Sequence, residues 1–145
     1  MTEKILWIKG LVCALFGAVG AFISSLYGGF GEDLITLLIF MATDYITGVI
    51  VAAFFKKSNK SETGALSSIA GLRGLMKKAV ILLAVLVSHR LDISLNTDYI
   101  MTATIIAFIS NEGISIIENL GLMGVYMPDC VKKAIEVLRG DKDGD

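Results

Sequence analysis

The sequence is poor in the residues that usually build catalytic, metal or disulfide sites. Its 145 residues include two cysteines, one histidine, one proline and one tryptophan. Cys13 lies in an apolar stretch and Cys130 near the end of the chain, so nothing in the sequence pairs them in a disulfide. His89 has no second histidine or nearby cysteine with which to bind a metal. Since a phosphate-binding glycine loop is also missing, the sequence predicts a protein that is not an enzyme and uses no cofactor.

Charged residues are scarce as well, at 19% of the chain, whereas 54% of the residues are hydrophobic. Four apolar stretches share a single charged side chain, Asp44; they are Gly10–Phe30, Leu34–Phe55, Ala79–Ser88 and Tyr99–Ile109. A bilayer core of about 30 Å requires roughly 20 apolar residues per helix, and the first two stretches reach that length. Because unpaired backbone groups are excluded from lipid, the spans should be helical. The sequence therefore predicts an all-α integral membrane protein with about four transmembrane helices.

The third stretch is the shortest of the four. As a helix it covers only about 15 Å, so it would need help from flanking basic residues or a thinner bilayer in order to span. The alternative is a re-entrant or interfacial segment. Apolar residues at helical spacing between Leu66 and Met76 indicate either an amphipathic helix on the inner membrane surface or a helical lead-in to the third span. In both interpretations Arg73, Lys77 and Lys78 are basic residues of the inner surface.

The basic residues also predict an orientation. All but one of the 13 lysines and arginines lie before the first stretch, between the second and third, or after the fourth; the exception is Arg90. Loops that carry lysine and arginine stay in the cytoplasm, so both termini should lie inside. The first apolar run is longer than the core of a signal peptide, which favours an uncleaved span. We expect a transmembrane domain over residues 1–120, and a cytoplasmic amphipathic helix with an acidic tail over residues 121–145.

Polar side chains within the apolar stretches mark the candidate site. A charged Asp44 in mid-span would cost about 2.5 to 3.5 kcal/mol, so it should be neutralised, paired, or turned toward water or protein. Thr47 and Gly48 follow one turn later on the same face. One arc of about 120° on the fourth helix carries five more polar residues: Asn111, Glu112, Ser115, Glu118 and Asn119. All of these are candidate pore-lining or helix-interface residues. The alternatives are simple packing of a protonated Asp44, and emergence of this half of the fourth helix into the cytoplasm.

Several motifs follow one another in a recognisable order: Asp44-Tyr45-Ile46-Thr47-Gly48, Gly71 to Lys78, His89-Arg90-Leu91-Asp92, Asn111 to Asn119, and Gly121 to Pro128. In these motifs the chain resembles the toxin-secretion/phage-lysis holin family over about residues 34–139. The resemblance implies a small protein of the bacterial inner membrane that oligomerises with itself and opens lesions through which an endolysin or a large toxin leaves the cytoplasm. It marks as motif positions Asp44, Gly48, Lys77, Lys78, Asp92, Asn111, Glu112, Ser115, Glu118 and Asn119.

Two other functions remain open on sequence grounds. A small ion channel or transporter would use Asp44 and Glu112 as a permeation path, and a non-conducting accessory protein would anchor a partner through its tail helix. The basic cluster lacks the interleaved aromatic residues of a nucleic-acid platform, so no nucleic-acid partner is expected. The expected partners are further copies of the chain, membrane lipid, and an endolysin or toxin.

Overall fold

A computed structural model describes residues 2–56, 67–131 and 133. The helices in this part of the chain are α1 (Thr2–Leu26), α2 (Glu32–Ile50), α3 (Ser68–Leu95) and α4 (Ile100–Leu122). A π-helical turn, Val51–Phe55, extends α2 without a break. No strand occurs among these described residues, and the predicted all-α fold is confirmed.

Three segments are long and apolar enough to cross a membrane within the described ranges. They are Glu3–Leu26, Glu32–Phe55 and Ile100–Leu122, which correspond to α1, α2 with its π-helical extension, and α4. The third predicted span differs from them, because its ten apolar residues form only the middle of a long helix that also carries basic residues. With 28 residues, α3 extends about 42 Å, yet it is not apolar enough to count as a fourth span.

The residues before the third apolar stretch form a lead-in and not a separate surface helix. From Ser68 the chain is helical without interruption to Leu95. Ser67 begins this helix with an N-cap, in which its hydroxyl accepts a 3.5 Å hydrogen bond from the backbone N–H of Ala70. The predicted amphipathic tail helix falls, apart from its first residues, outside the described residues.

The helices α2, α3 and α4 pack side by side around a shared core. Most of the buried residues recur at intervals of three, four or seven positions, which is typical of helices that run alongside one another. On α2 they are Leu34, Leu37, Met41, Asp44, Val51 and Ala52; on α3, Ile81, Val85, Ser88 and Asp92; on α4, Ile105, Glu112 and Asn119. The residues that form hydrogen bonds between helices show that α2 and α4 run in the same direction and that α3 runs opposite to both.

Asp92 organises the turn between α3 and α4. Its carboxylate accepts hydrogen bonds from the Thr97 hydroxyl at 2.6 Å and from the backbone N–H groups of Ile100 and Met101 at 3.0 and 2.7 Å, so it caps the start of α4. Burial acts to raise the pKa of Asp92, but these hydrogen bonds outweigh it and the pKa lies below the ordinary 3.8. The cap therefore stabilises the fold above the ordinary pKa, and this contribution is lost as the pH falls through the lowered value.

Helix α1 stands apart from the other three. Its side chains are exposed along almost the whole helix, including Trp7 and Phe16, and none of the residues in its apolar window is buried. The chain meets the bundle just after α1, where the Tyr27 hydroxyl donates a 3.0 Å hydrogen bond to the carbonyl of Leu82. At Gly28, φ is +72° and an added β-carbon would lie 2.7 Å from Cε1 of His89, so only glycine fits this close approach. In a bilayer, α1 therefore presents its side chains to lipid or to another protein.

Candidate functional site: a charged cluster between three helices

Two acidic side chains lie inside the helical bundle at the same level. Asp44 and Glu112 each follow the first residue of their helix by 12 positions, which places both about 18 Å along the bundle. Their residues are only 6% and 2% exposed. Carboxylates this deep are stable only with a compensating charge or a full set of hydrogen bonds.

Lys78 supplies the compensating charge from the third helix. Its ammonium group donates a 2.8 Å hydrogen bond to Oδ2 of Asp44 and another hydrogen bond to Oε2 of Glu112. The Lys78 side chain is 12% exposed, so these two ion pairs are largely shielded from the surroundings. One ammonium thus joins α2, α3 and α4. With all three groups ionised, the cluster carries a formal charge of −1.

Asn119, which lies two turns after Glu112 on α4, completes the cluster. Its side-chain amide nitrogen lies 3.2 Å from Oδ1 of Asp44, 3.3 Å from the Asp44 carbonyl oxygen and 3.0 Å from the Thr47 hydroxyl. The Thr47 hydroxyl in turn bonds backbone carbonyls within α2, at Thr43 and Asp44. Both oxygens of Asp44 therefore have partners, and no buried side-chain polar atom in the described ranges is left without one.

The structure brings together four of the residues that the sequence singles out: Asp44, Thr47, Glu112 and Asn119. The others on α4 lie beside them. Asn111, Ser115 and Glu118 line a cavity of about 730 Å³ that also reaches Asp44, Glu112 and Lys78. Gly48 is partly buried one turn after Asp44. The polar arc of α4 is thus divided, because Glu112 and Asn119 face α2 and α3 whereas Asn111 and Glu118 are exposed.

Lys78 lies inside the bundle, in contrast to the inner-surface position that the sequence predicts. The sequence groups it with Arg73 and Lys77 on the inner surface, but the structure places its ammonium inside the cluster, while Arg73 and Lys77 are exposed. The physical reason is helical periodicity. Lys78 precedes the buried Val85 and Asp92 by seven and fourteen positions, so it shares their face of α3, whereas Lys77 is turned away by 100°. This spacing was the signal that could have identified Lys78.

Glycines of the motifs allow side chains of α2 to approach its neighbours closely. Tyr45 lies against α3, where β-carbons added at Gly71 and Gly74 would meet its hydroxyl oxygen at 3.5 Å and its ring at 3.8 Å. Phe40 lies against α4, 3.4 Å from a β-carbon added at Gly113. Small residues at such contacts are a common way to pack helices in membranes. They bring the three backbones close enough for Lys78 to reach both carboxylates.

The sequence of the chain is similar to those of several known proteins. The profile of the bacteriophage holin family matches residues 21–140. A 14.9 kDa protein from the nagH 3′ region of Clostridium perfringens is 41% identical over 127 residues, covering 86% of this chain and 90% of that protein. The probable holin of Bacillus phage phi105 is 34% identical over 117 residues, with coverages of 79% and 81%. YqxH of Bacillus subtilis is 33% identical over 119 residues, covering 81% and 79%. No solved structure gives a significant match.

Proposed function

The chain belongs to the bacteriophage holin family, and on this premise we propose that it forms homo-oligomers in the bacterial inner membrane that open lesions for an endolysin or a toxin. The observation that carries the proposal is the charged cluster, with Asp44, Lys78 and Glu112 on three helices of a membrane protein. Ionisable groups at such depth usually serve a function, because they are costly to insert. A water-filled lesion requires polar walls, and the polar arc of α4 supplies them when chains assemble.

In a single chain, the two polar residues of α4 that belong to the cluster are turned away from lipid. Glu112 and Asn119 are turned toward α2 and α3, and the Lys78 ammonium group pairs with the Glu112 carboxylate. We infer that assembly exchanges some of these contacts for contacts with water or with another copy. Helix α1, which packs against little in its own chain, offers a surface for neighbouring copies. The cluster would then hold the single chain in a closed form until enough copies accumulate.

Permeabilisation should be separable from cell-wall degradation. Induced expression in a bacterium is expected to stop growth and release cytoplasmic dyes, whereas lysis should require a co-expressed peptidoglycan hydrolase. Fluorescent dextrans of graded size report the width of the lesion. Release of large dextrans supports the proposal, release of ions alone would indicate a channel, and no release would indicate an accessory protein. Lysis of isolated cell walls by the purified chain would contradict the division of labour.

The proposed topology places both termini in the cytoplasm. Single cysteines would be introduced into a chain in which Cys13 and Cys130 are replaced by serine, and intact cells would be treated with a membrane-impermeant maleimide. We expect labelling at Glu32 and Asn96, which lie at the ends of α2 and α3, and protection at Lys60 and Asp141. Permeabilised cells serve as the control, in which all four positions should react. Labelling of Asp141 in intact cells would rule out this orientation.

A further inference from the structure

The cavity beside the charged cluster lies at the level of a lipid headgroup. Glu118, on its rim, is 18 residues along α4 from Ile100, about 27 Å, which is close to the thickness of a bilayer core. Lys77 is 18 residues from Leu95, the end of α3 that lies next to the start of α4. Lys77 and Glu118 are therefore at the same level of the bundle. The volume of about 730 Å³ is within the range of small-molecule sites. The cavity therefore extends from the cluster to the bilayer boundary at which α3 begins.

The charges of the cavity are separated along its length. The rim carries Arg73, Lys77 and Glu118, with a formal charge of +1. Arg73 and Lys77 form no ion pair with any carboxylate of the described residues. The inner wall is the cluster of Asp44, Lys78 and Glu112, in which one ammonium group lies between two carboxylates. A ligand that fits this pattern has an anionic group at the rim and a cationic group pointing inward.

We propose that this cavity binds the phosphoethanolamine headgroup of a bilayer phospholipid. Arg73 and Lys77 hold the phosphate, since a guanidinium and an ammonium one helical turn apart are suited to two oxygens of one phosphate. The ammonium of the ligand points along Asn111 and Ser115, whose amide and hydroxyl oxygens can accept its hydrogen bonds. The carboxylates of Asp44 and Glu112 at the inner end of the cavity favour this orientation. A glycerol headgroup lacks the cation, and a choline headgroup lacks N–H donors.

A bilayer lipid is the source that the location favours. Basic pockets between membrane helices at the cytoplasmic side commonly bind headgroups, and the acyl chains of a lipid can remain in the bilayer against α3 and α4. Gly74 and Ala70 form part of the lining, where their small side chains leave room for the headgroup. This inference requires that the chain lies in a membrane, but it does not depend on whether the chain opens lesions.

The test is lipid retention by the full-length chain. The protein is reconstituted in nanodiscs with equal parts of phosphatidylethanolamine, phosphatidylglycerol and phosphatidylcholine. It is then released from the nanodiscs, and the lipid that stays bound is identified by native mass spectrometry. We expect one phosphatidylethanolamine per chain. The double variant Arg73→Gln/Lys77→Gln should lower its retention by roughly thirtyfold, since each basic residue contributes about five- to sixfold. The matched control is Lys4→Gln/Lys9→Gln, which removes two exposed basic residues of α1 and should retain the lipid.

Further outcomes decide the headgroup and its source. Equal retention of phosphatidylglycerol or phosphatidylcholine would overturn the assignment of ethanolamine, and binding of soluble phosphoethanolamine in detergent without lipid would overturn the assignment to a bilayer lipid. Ser115→Leu fills the cavity without a change of charge and should also abolish retention. Circular dichroism verifies that each variant remains helical. Retention by both the double variant and Ser115→Leu would refute the site, whatever the result of the dextran experiment.

Discussion

Replacement of Lys78 by methionine is expected to lower the free energy of unfolding by about 3 to 5 kcal/mol, the usual cost of removing one partner of a buried ion pair. The variant removes the ammonium group to which the buried carboxylates of Asp44 and Glu112 are both ion-paired. Methionine preserves most of the aliphatic volume, so the loss reports on charge more than on packing. The measurement is denaturant unfolding in detergent micelles, followed by circular dichroism.

The neighbouring residue provides a matched control for this variant. Lys77→Met makes the same chemical change one position away, at an exposed site, and should change the free energy of unfolding by no more than about 0.5 kcal/mol. Neutralising the carboxyl groups as well, in Asp44→Asn/Lys78→Met/Glu112→Gln, should recover most of the lost stability, because no buried charge then remains unpaired. Equal losses for Lys78→Met and Lys77→Met, or no recovery in the triple variant, would show that the ion pairs do not stabilise the bundle.

Variants of Asp44 are expected to affect permeabilisation more than protein level. Asp44→Leu removes the charge and both side-chain acceptors, which breaks the contacts to Lys78 and Asn119. It saves a few kcal/mol of insertion cost, so accumulation in the membrane should not fall. We expect dye release to be delayed or absent. Asp44→Asn retains an acceptor oxygen but loses the charge, and should give an intermediate delay at matched expression.

Thr43→Leu is the matched control for the Asp44 variants. It makes the same change from a polar residue to leucine one position earlier in α2, where the hydroxyl donates a hydrogen bond to the Ile39 carbonyl of its own helix. Dye release should keep the wild-type timing in this variant. If Asp44→Leu also kept the wild-type timing, Asp44 would be a packing residue without a part in opening.

The sequence was sufficient to predict the all-α fold and to single out Asp44 as a charge within an apolar run. Long apolar runs define α1 and α2 because a span must satisfy its backbone internally, and Asp44 stands out because it interrupts such a run. The length of α3 was harder to predict, since its ten-residue apolar centre is flanked on both sides by polar residues that a helix can also accommodate. The helical spacing of apolar residues continues beyond this apolar centre, and only the packed structure shows that Ser68–Leu95 is a single helix.

The partner of Asp44 could not be identified from composition or local pattern. Lys77 and Lys78 are adjacent and identical in chemistry, and the charge rule for membrane topology treats them alike. The choice between them depends on which face of α3 meets α2 and α4, a tertiary property that joins residues 34 positions apart. The isolation of α1 is also a tertiary property, because its apolar sequence would suit a buried helix equally well.

The separation of the three charges along the chain has a consequence for biosynthesis. Asp44 is made 34 residues before Lys78, and Lys78 is made 34 residues before Glu112. At about 5 to 20 residues per second, the ribosome needs roughly 2 to 7 s between them. The Asp44 carboxyl group of α2 is therefore made before the ammonium group with which it pairs. The favourable insertion free energy of the long apolar run around Asp44 must offset the cost of inserting this group. Helix α3 is synthesised after α2 and before α4, so the Asp44 side chain that pairs with Lys78 is already made when α3 forms.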